Sequence, residues 1–372
     1  MGQPNWYDLA KTATDPQTIG EAIQSAIDTH NADTEAHMAG SESLDIHRTA
    51  EVVDHPAESV VNDKLRVYTR AYVAIVDPSD EEAFDTIDGA YAYAASVGGG
   101  TILITPGTHY LSSKIVLHPN INLKGTDQDD CIVVTDKDSG YYFEADDTSA
   151  GDGKTNYFND LSFAPISDGV FLFNYSGTVP NALYIFTNCS FIGQLTYVLE
   201  ISKTTTFVSC YIDLAQGFTF ELYESYTFDG CIFANTGNLT DASLMPATFG
   251  NGRGYFYNCK SRDEGSNGIT LFDNSTVDEV TIQGCHLAGL KGTVCLSVRA
   301  ILVGNYFSIK SSTYFNYGGV NGVVSGNSFA GGTGNRLRLS AGSSKNAVVG
   351  NYVGTAITNS GTSNTVANNV VT

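Results

Sequence analysis

Five acidic side chains crowd one stretch of this 372-residue chain: Asp263, Glu264, Asp273, Asp278 and Glu279. Two carboxylates held about 5–9 Å apart can hydrolyse a glycosidic bond. The same oxygens can ligate Ca2+. The plainer alternative is a set of solvated loop charges, which Arg253 and Arg262 nearby can pair for little net stability. Two Asp-Asp pairs, at 129–130 and 146–147, fall in polar stretches. His30 and His37 stand one heptad apart. A three-chain bundle would turn both toward its axis, where they could hold a transition metal; solvated or capping histidines are the alternative. Tyr211, Tyr255, Tyr306 and Tyr352 are candidate outward aromatics, able to stack on sugars or pack against a sister chain. No residue is assigned as catalytic, and no cofactor is expected beyond these possible Ca2+ or transition-metal sites.

The elements that would position these groups follow from a repeat. From about residue 156 one pattern recurs: YIFTNCSF, TTFVSCYI, YTFDGCIF, GYFYNCKS, VTIQGCHL, AILVGNYF, GVVSGNSF, NAVVGNYV, NTVANNVV. Aligned on one reference position, the occupants are Leu161, Cys189, Cys210, Cys231, Cys259, Cys285, Asn305, Asn327, Asn351 and Asn369. Three residues earlier every position is large and apolar, from Phe158 through Phe256 to Val366. Two residues later the column is again apolar, broken only by Ser261. One residue earlier stands Asp, Asn, Ser or Gly in every repeat, the types that suit a tight bend or a positive φ.

Strand, bend, strand, at intervals too short for a βαβ unit, predicts one coil of a right-handed parallel β-helix. Coils stack at about 4.8 Å. Cysteine then serves as a small buried core residue, and the asparagines must hydrogen-bond along their column. An odd cysteine count, with no CxxC pair and no zinc spacing, argues against a disulfide framework. Tyr211, Tyr306 and Tyr352 directly follow the reference position, so they point away from the core. The last coil, with Asn369 and Val371, has no capping element, so something is expected to cover its edge.

The solenoid has a readable entry. Ser79 and Glu82 form a capping box, and Ala83, Phe84, Ile87, Ala90, Tyr91 and Ala94 make one apolar face, predicting a helix over about 79–97. Gly98-Gly99-Gly100 would stop it. With the GGGT run (98–101), the PGTHY turn (106–110) and INLKG (121–125), this segment resembles the N-terminal coil of the pectin-lyase-like β-helix superfamily. The resemblance spans about 78–372 and implies a fold rather than a function, since that superfamily holds pectinolytic enzymes, tailspikes and non-catalytic virion proteins. The GHG and RIK motifs of its glycosidases are absent, as are pectate-lyase signatures.

The first 75 residues form a different region. Ile19, Ala22, Ile23, Ala26 and Ile27 give a short amphipathic helix, too short to be stable alone. The polar stretch after it carries H-N-A-D-x-x-A-H (30–37) and D-H-P-x-x-S-V-x-x-x-K-L (54–65), which resemble adaptor regions of tailed-virus fibre proteins. Charge divides the chain similarly: residues 1–160 hold 28 acidic against 9 basic side chains, and the remainder 12 against 10. Nothing supplies a basic stripe for nucleic acid. No run reaches the roughly 18 apolar residues of a membrane span, and the N-terminus lacks the layout of a secretory signal.

The expected protein is therefore all-β: a helical N-terminal adaptor (1–75) followed by a parallel β-helix (76–372). The fibre resemblance implies a homotrimer on a virion surface. Residues 1–75 would contact other virion proteins, and the β-helix would contact a host-surface glycan or receptor. The alternative is a polysaccharide depolymerase on the same scaffold, with its site among the acids of 263–279.

Overall fold

In the computed structural model, the described residues are 72–372, except 112, 119, 136–142, 147–154, 166–169, 177–182, 193–196, 201–203, 214–218, 222–224, 237–252, 264–268, 271–278, 292, 296–298, 311–313 and 332–336. They form a right-handed solenoid of parallel strands, as the repeat predicts. Among them are two 13-stranded sheets, one 5-stranded sheet and one 4-stranded sheet. Each coil contributes one strand to the first large sheet, bends, and contributes the next strand to the second. The strand pairs Leu183–Thr187 with Thr204–Val208 and Ser190–Phe191 with Tyr211–Asp213 are typical. The smaller sheets close the far side of the coil, from Ile115–Leu117 to Thr219–Glu221 and from Thr293–Cys295 to Thr358–Asn359.

The bend between the large sheets explains the repeat. All ten predicted bend residues occupy the left-handed region, with φ from 52° at Asn188 to 66° at Gly284 and Gly350. Asp160, Asn188, Ser209, Asn258 and Asn368 take this conformation without being glycine. The bend reverses the side-chain alternation, so the reference residue and the residues three before and two after it all face inward. Phe158, Phe186, Phe207, Phe228 and Phe256 stack face to face, with adjacent ring centroids 4.8–5.1 Å apart. Phe163 and Phe191 stack beside them at 5.4 Å and meet Phe186 edge-on. In the last coil the same columns come to the surface, with Val366 39 % and Val371 53 % exposed.

The reference column is a hydrogen-bonding device as well as a packing one. Cys189, Cys210, Cys231, Cys259 and Cys285 each point Sγ at the carbonyl of the inward residue one coil earlier, 3.3–3.5 Å away. Asn305, Asn327 and Asn351 send Nδ2 to the equivalent carbonyls at 2.7–2.8 Å. Asn305 Oδ1 accepts from the Cys285 backbone N–H at 2.8 Å. Asn327 and Asn351 Oδ1 each accept from both the backbone N–H and the carboxamide of the preceding column residue, as Asn351 does for Asn327 at 3.0 Å each. Cysteine and asparagine interchange here because both are compact donors. Cys131 holds the same place, with Sγ 3.3 Å from the Ile104 carbonyl. Its coil enters through a longer bend, which hid it from the sequence alignment.

Burial above all pushes the Cys210 and Cys231 thiols up, and the hydrogen bond with the preceding sulfur, followed by burial, does the same for Cys259 and Cys285. Unfolded thiols ionise near ~8.5, so the ionised form favours the unfolded chain and stability falls as pH rises above that value. The six thiols at 131, 189, 210, 231, 259 and 285 are free and buried. Iodoacetamide applied to the native chain at pH 9 should leave these six unlabelled, and label them in concentrated guanidinium; peptide mapping reads the outcome.

The entry helix is shorter than expected. It spans Ile87–Ser96, with Thr86 Oγ1 accepting from Gly89 N–H at 3.2 Å. Ser79 does not cap it: its N–H and hydroxyl both bond Asp77 Oδ1, at 3.0 and 2.6 Å. These bonds hold the Asp77 carboxyl below its ordinary value. Phe84, placed on the helix face from sequence, instead bridges to Val76 in extended form, with its N–H on the Ile75 carbonyl at 2.9 Å. Side-chain-to-backbone turns at Asp77 and Asp80 satisfy the N–H groups that a longer helix would have used. Ile87, Ala90, Tyr91 and Ala94 are the buried face, as predicted. Among the described residues no helix is long and apolar enough to cross a membrane.

Candidate functional site

The outer face of the second large sheet gathers the chemistry. The residue after each reference position aligns in one column, strand against strand: Ser162, Ser190, Tyr211, Ile232, Lys260, His286, Tyr306, Ser328, Tyr352 and Val370. Tyr211, Tyr306 and Tyr352 therefore share one line, as their spacing predicts. Two strand steps, about 10 Å, separate Tyr306 from Tyr352. Tyr306 is 36 % and Tyr352 47 % exposed. The His286 ring stacks on Tyr306 with centroids 4.5 Å apart. Lys260 continues the exposed strip, so this part of the column alternates cationic, aromatic and hydroxyl side chains.

At the other end of the column lies a shallow groove of about 420 Å³, across the bend between the two sheets. Gln128, Asp129, Asn188, Ser190, Tyr211 and Ile232 are among its walls. Gln128 Nε2 donates to Ser190 Oγ at 2.6 Å, and the Ser162 hydroxyl donates to the Gln128 carbonyl at 2.7 Å. Asn188 Nδ2 donates to Asp160 Oδ1 at 2.8 Å. These bonds fix the groove's polar groups before any ligand arrives. Sequence reading missed the contribution of Gln128 and Asp129, which enter from the long bend of an irregular coil. The signal that was available is the TDQDD run just before Cys131, at the place where other repeats bend in one residue.

Tyr255 belongs elsewhere. It lies on a first-sheet strand, Arg253–Tyr257, 6.4 Å from the Tyr257 ring. Burial pushes the Tyr257 hydroxyl up, helped by Tyr255, Asp229 and Glu279 nearby.

The acidic candidates do not form a described cluster. Glu264, Asp273 and Asp278 lie outside the described residues, as does the Asp263 side chain. Asp263 ends a second-sheet strand, Lys260–Asp263, whereas Glu279 opens a first-sheet strand, Glu279–Gln283. Glu279 stands in register between Arg253 and Arg299 and pairs with Arg299 at 3.5 Å. His30 and His37 also lie outside the described residues. Among the described residues no group of three His, Cys, Asp or Glu is arranged to hold a metal.

The class defined by this architecture is the parallel β-helix proteins. No protein-family model matches the sequence, and a search of curated proteins finds no match. Solved structures similar to the chain include the pectin methylesterase PemA from Erwinia chrysanthemi, at 12 % identity and TM-score 0.40, covering 59 % of this chain and 80 % of that one. The catalytic domain of a GH87 α-1,3-glucanase is similar at 15 % identity and TM-score 0.46, covering 82 % and 68 %. Tailspike protein 3 of bacteriophage CBA120 is similar at 13 % identity and TM-score 0.36, covering 94 % and 68 %.

Proposed function

We propose that this chain is a virion attachment protein: a tail fibre, tailspike or capsid-surface appendage that binds a host-surface glycan through the outer face of its second sheet. One observation carries the reading, the outward column of the second sheet that aligns half-buried Tyr211 with exposed Tyr306 and Tyr352 along the solenoid axis. Aromatic faces on a flat rigid sheet suit the C–H faces of sugars, and their rotamer entropy is low. A glycan lying along the axis would meet these rings in succession, at multiples of the strand spacing. The sequence elements at 30–37 and 54–65, with their resemblance to fibre adaptors, support attachment of residues 1–75 to a larger particle. The same resemblance supports a homotrimer.

Light scattering on the full chain, coupled to size exclusion, is expected to give three copies; a monomer at micromolar concentration overturns the trimer. Binding is read on an array of bacterial surface polysaccharides. The combined Tyr211→Ala, Tyr306→Ala and Tyr352→Ala variant should lose a hundredfold or more of affinity, about 1 kcal/mol for each stacked ring. Unchanged binding by a folded triple variant overturns this face as the attachment surface.

A further inference from the structure

The groove at the bend has a chemistry that selects among glycans. We infer that it is a subsite for a short neutral saccharide segment and that it rejects acidic sugars; this rests on the glycan-binding reading above and names its ligand class. Its volume, about 420 Å³, falls within the range of small-ligand sites. Tyr211 and Ile232 supply an apolar platform, and Ile232 is 38 % exposed. Around them stand amide, hydroxyl and carboxylate groups that match vicinal sugar hydroxyls.

Ser190 is the best-defined of these. It is 4 % exposed, lines the groove, and its oxygen already accepts from Gln128 Nε2 at 2.6 Å. Its hydroxyl hydrogen is therefore the part left to donate to a ligand. The Gln128 and Asn188 carboxamides each give one N–H, to Ser190 and Asp160 respectively, which fixes their orientation. Their oxygens remain as acceptors for hydroxyl donors.

Charge decides the class. No lysine or arginine is among the groove-lining residues, while Asp129 is, and Asp160 stands behind Asn188. A uronate, sialate or phosphate placed here would face like charge without a cation to offset it, which weakens binding and excludes acidic polymers. A neutral pyranose instead presents hydroxyl hydrogens to those carboxylate and carbonyl oxygens. Lys260 stands one strand step beyond Ile232 on the column, next to the groove but not among its lining residues.

The test uses the full chain and a panel of neutral oligosaccharides (gluco-, manno-, galacto- and xylo-configured) beside anionic ones (oligogalacturonate, hyaluronan fragments, polysialic acid), with titration calorimetry as readout. Neutral members should bind and anionic members should not. Tyr211→Ala should weaken neutral binding about tenfold, and Tyr211→Phe should restore most of it. Tyr157→Ala, which removes a tyrosine 42 % exposed on the other large sheet, should bind like the parent. Asp129→Lys should admit anionic members. Circular dichroism establishes that each variant is folded. Binding restricted to anionic members, or neutral binding indifferent to Tyr211→Ala and Asp129→Lys, overturns the groove as this subsite while leaving glycan attachment in place. Binding to no member and to no polysaccharide of the array overturns both.

Discussion

Asn327→Leu is expected to cost about 2–6 kcal/mol of folding stability, more than most single core substitutions of similar volume. The carboxamide of Asn327 is buried and fully used. Its Oδ1 accepts from both the backbone N–H and Nδ2 of Asn305, at 2.9 Å each. Its Nδ2 donates to the Leu302 carbonyl at 2.8 Å and to Asn351 Oδ1 at 3.0 Å. Leucine has nearly the same size and none of these groups. Two donors on Asn305 would lose their acceptor inside the core, at roughly 1–3 kcal/mol each. Asn327→Cys should cost much less, because a thiol reaches the same carbonyl in the coils above. It can also accept weakly, as Cys285 Sγ does from Cys259 N–H at 3.3 Å. Urea unfolding of the parent and both variants checks the order. Equal losses for leucine and cysteine would show that volume alone sets the column.

That order depends on an equivalence which only the three-dimensional structure reveals. The repeat exposes the column because five successive cysteines and then four successive asparagines fill it, and the bend before it is marked by Gly, Asn, Asp or Ser every time. Local backbone demand, a positive φ, is written directly in residue type. So is the inward stripe, because burial on both sides of the bend leaves few alternatives to Phe, Ile, Leu and Val. Hydrogen-bond geometry is not written that way. Cysteine read as a soft apolar filler is in fact a donor, and Cys131 escaped because five residues stand between it and Gly125 in place of a one-residue bend.

A second ladder escaped for a related reason. Asn346 Nδ2 donates to the Gly319 carbonyl at 2.7 Å and to Asn364 Oδ1 at 3.0 Å. Asn346 and Asn364 each stand five residues before the reference position, one residue after the positive-φ bends at Lys345 and Ser363, and a lysine is not a residue type that marks such a bend. The two smaller sheets were also hidden, since the connections that lead to them vary in length and their strands carry no fixed offset from the bend. The candidate site divides the same way. The tyrosine column follows from period and alternation. The groove does not, because two of its walls come from a loop that breaks the period.

The aromatic stack makes the second large prediction. Phe207→Ala should cost about 3–5 kcal/mol, the range for deleting a fully buried aromatic ring. Phe207 is 0 % exposed. Its ring lies between Phe186 at 5.1 Å and Phe228 at 4.8 Å, nearly parallel to both, and Phe191 meets it edge-on at 5.8 Å. Removing it opens a cavity that cannot close, since the backbone spacing on either side is fixed by parallel strand pairing from Thr204↔Ser225 to Val208↔Asp229. In a solenoid each coil is held chiefly by its neighbours, so the loss should stay local. Hydrogen exchange is expected to speed up in Leu183–Thr187, Thr204–Val208 and Ser225–Asp229. The coils of Asn327 and Asn351, held by the carboxamide ladder, should keep their protection. Uniform acceleration along the whole chain would mean that the solenoid unfolds as one cooperative unit. Tyr211 follows that column by only four residues, so Phe207→Ala should also loosen the groove floor and weaken saccharide binding without touching a ligand.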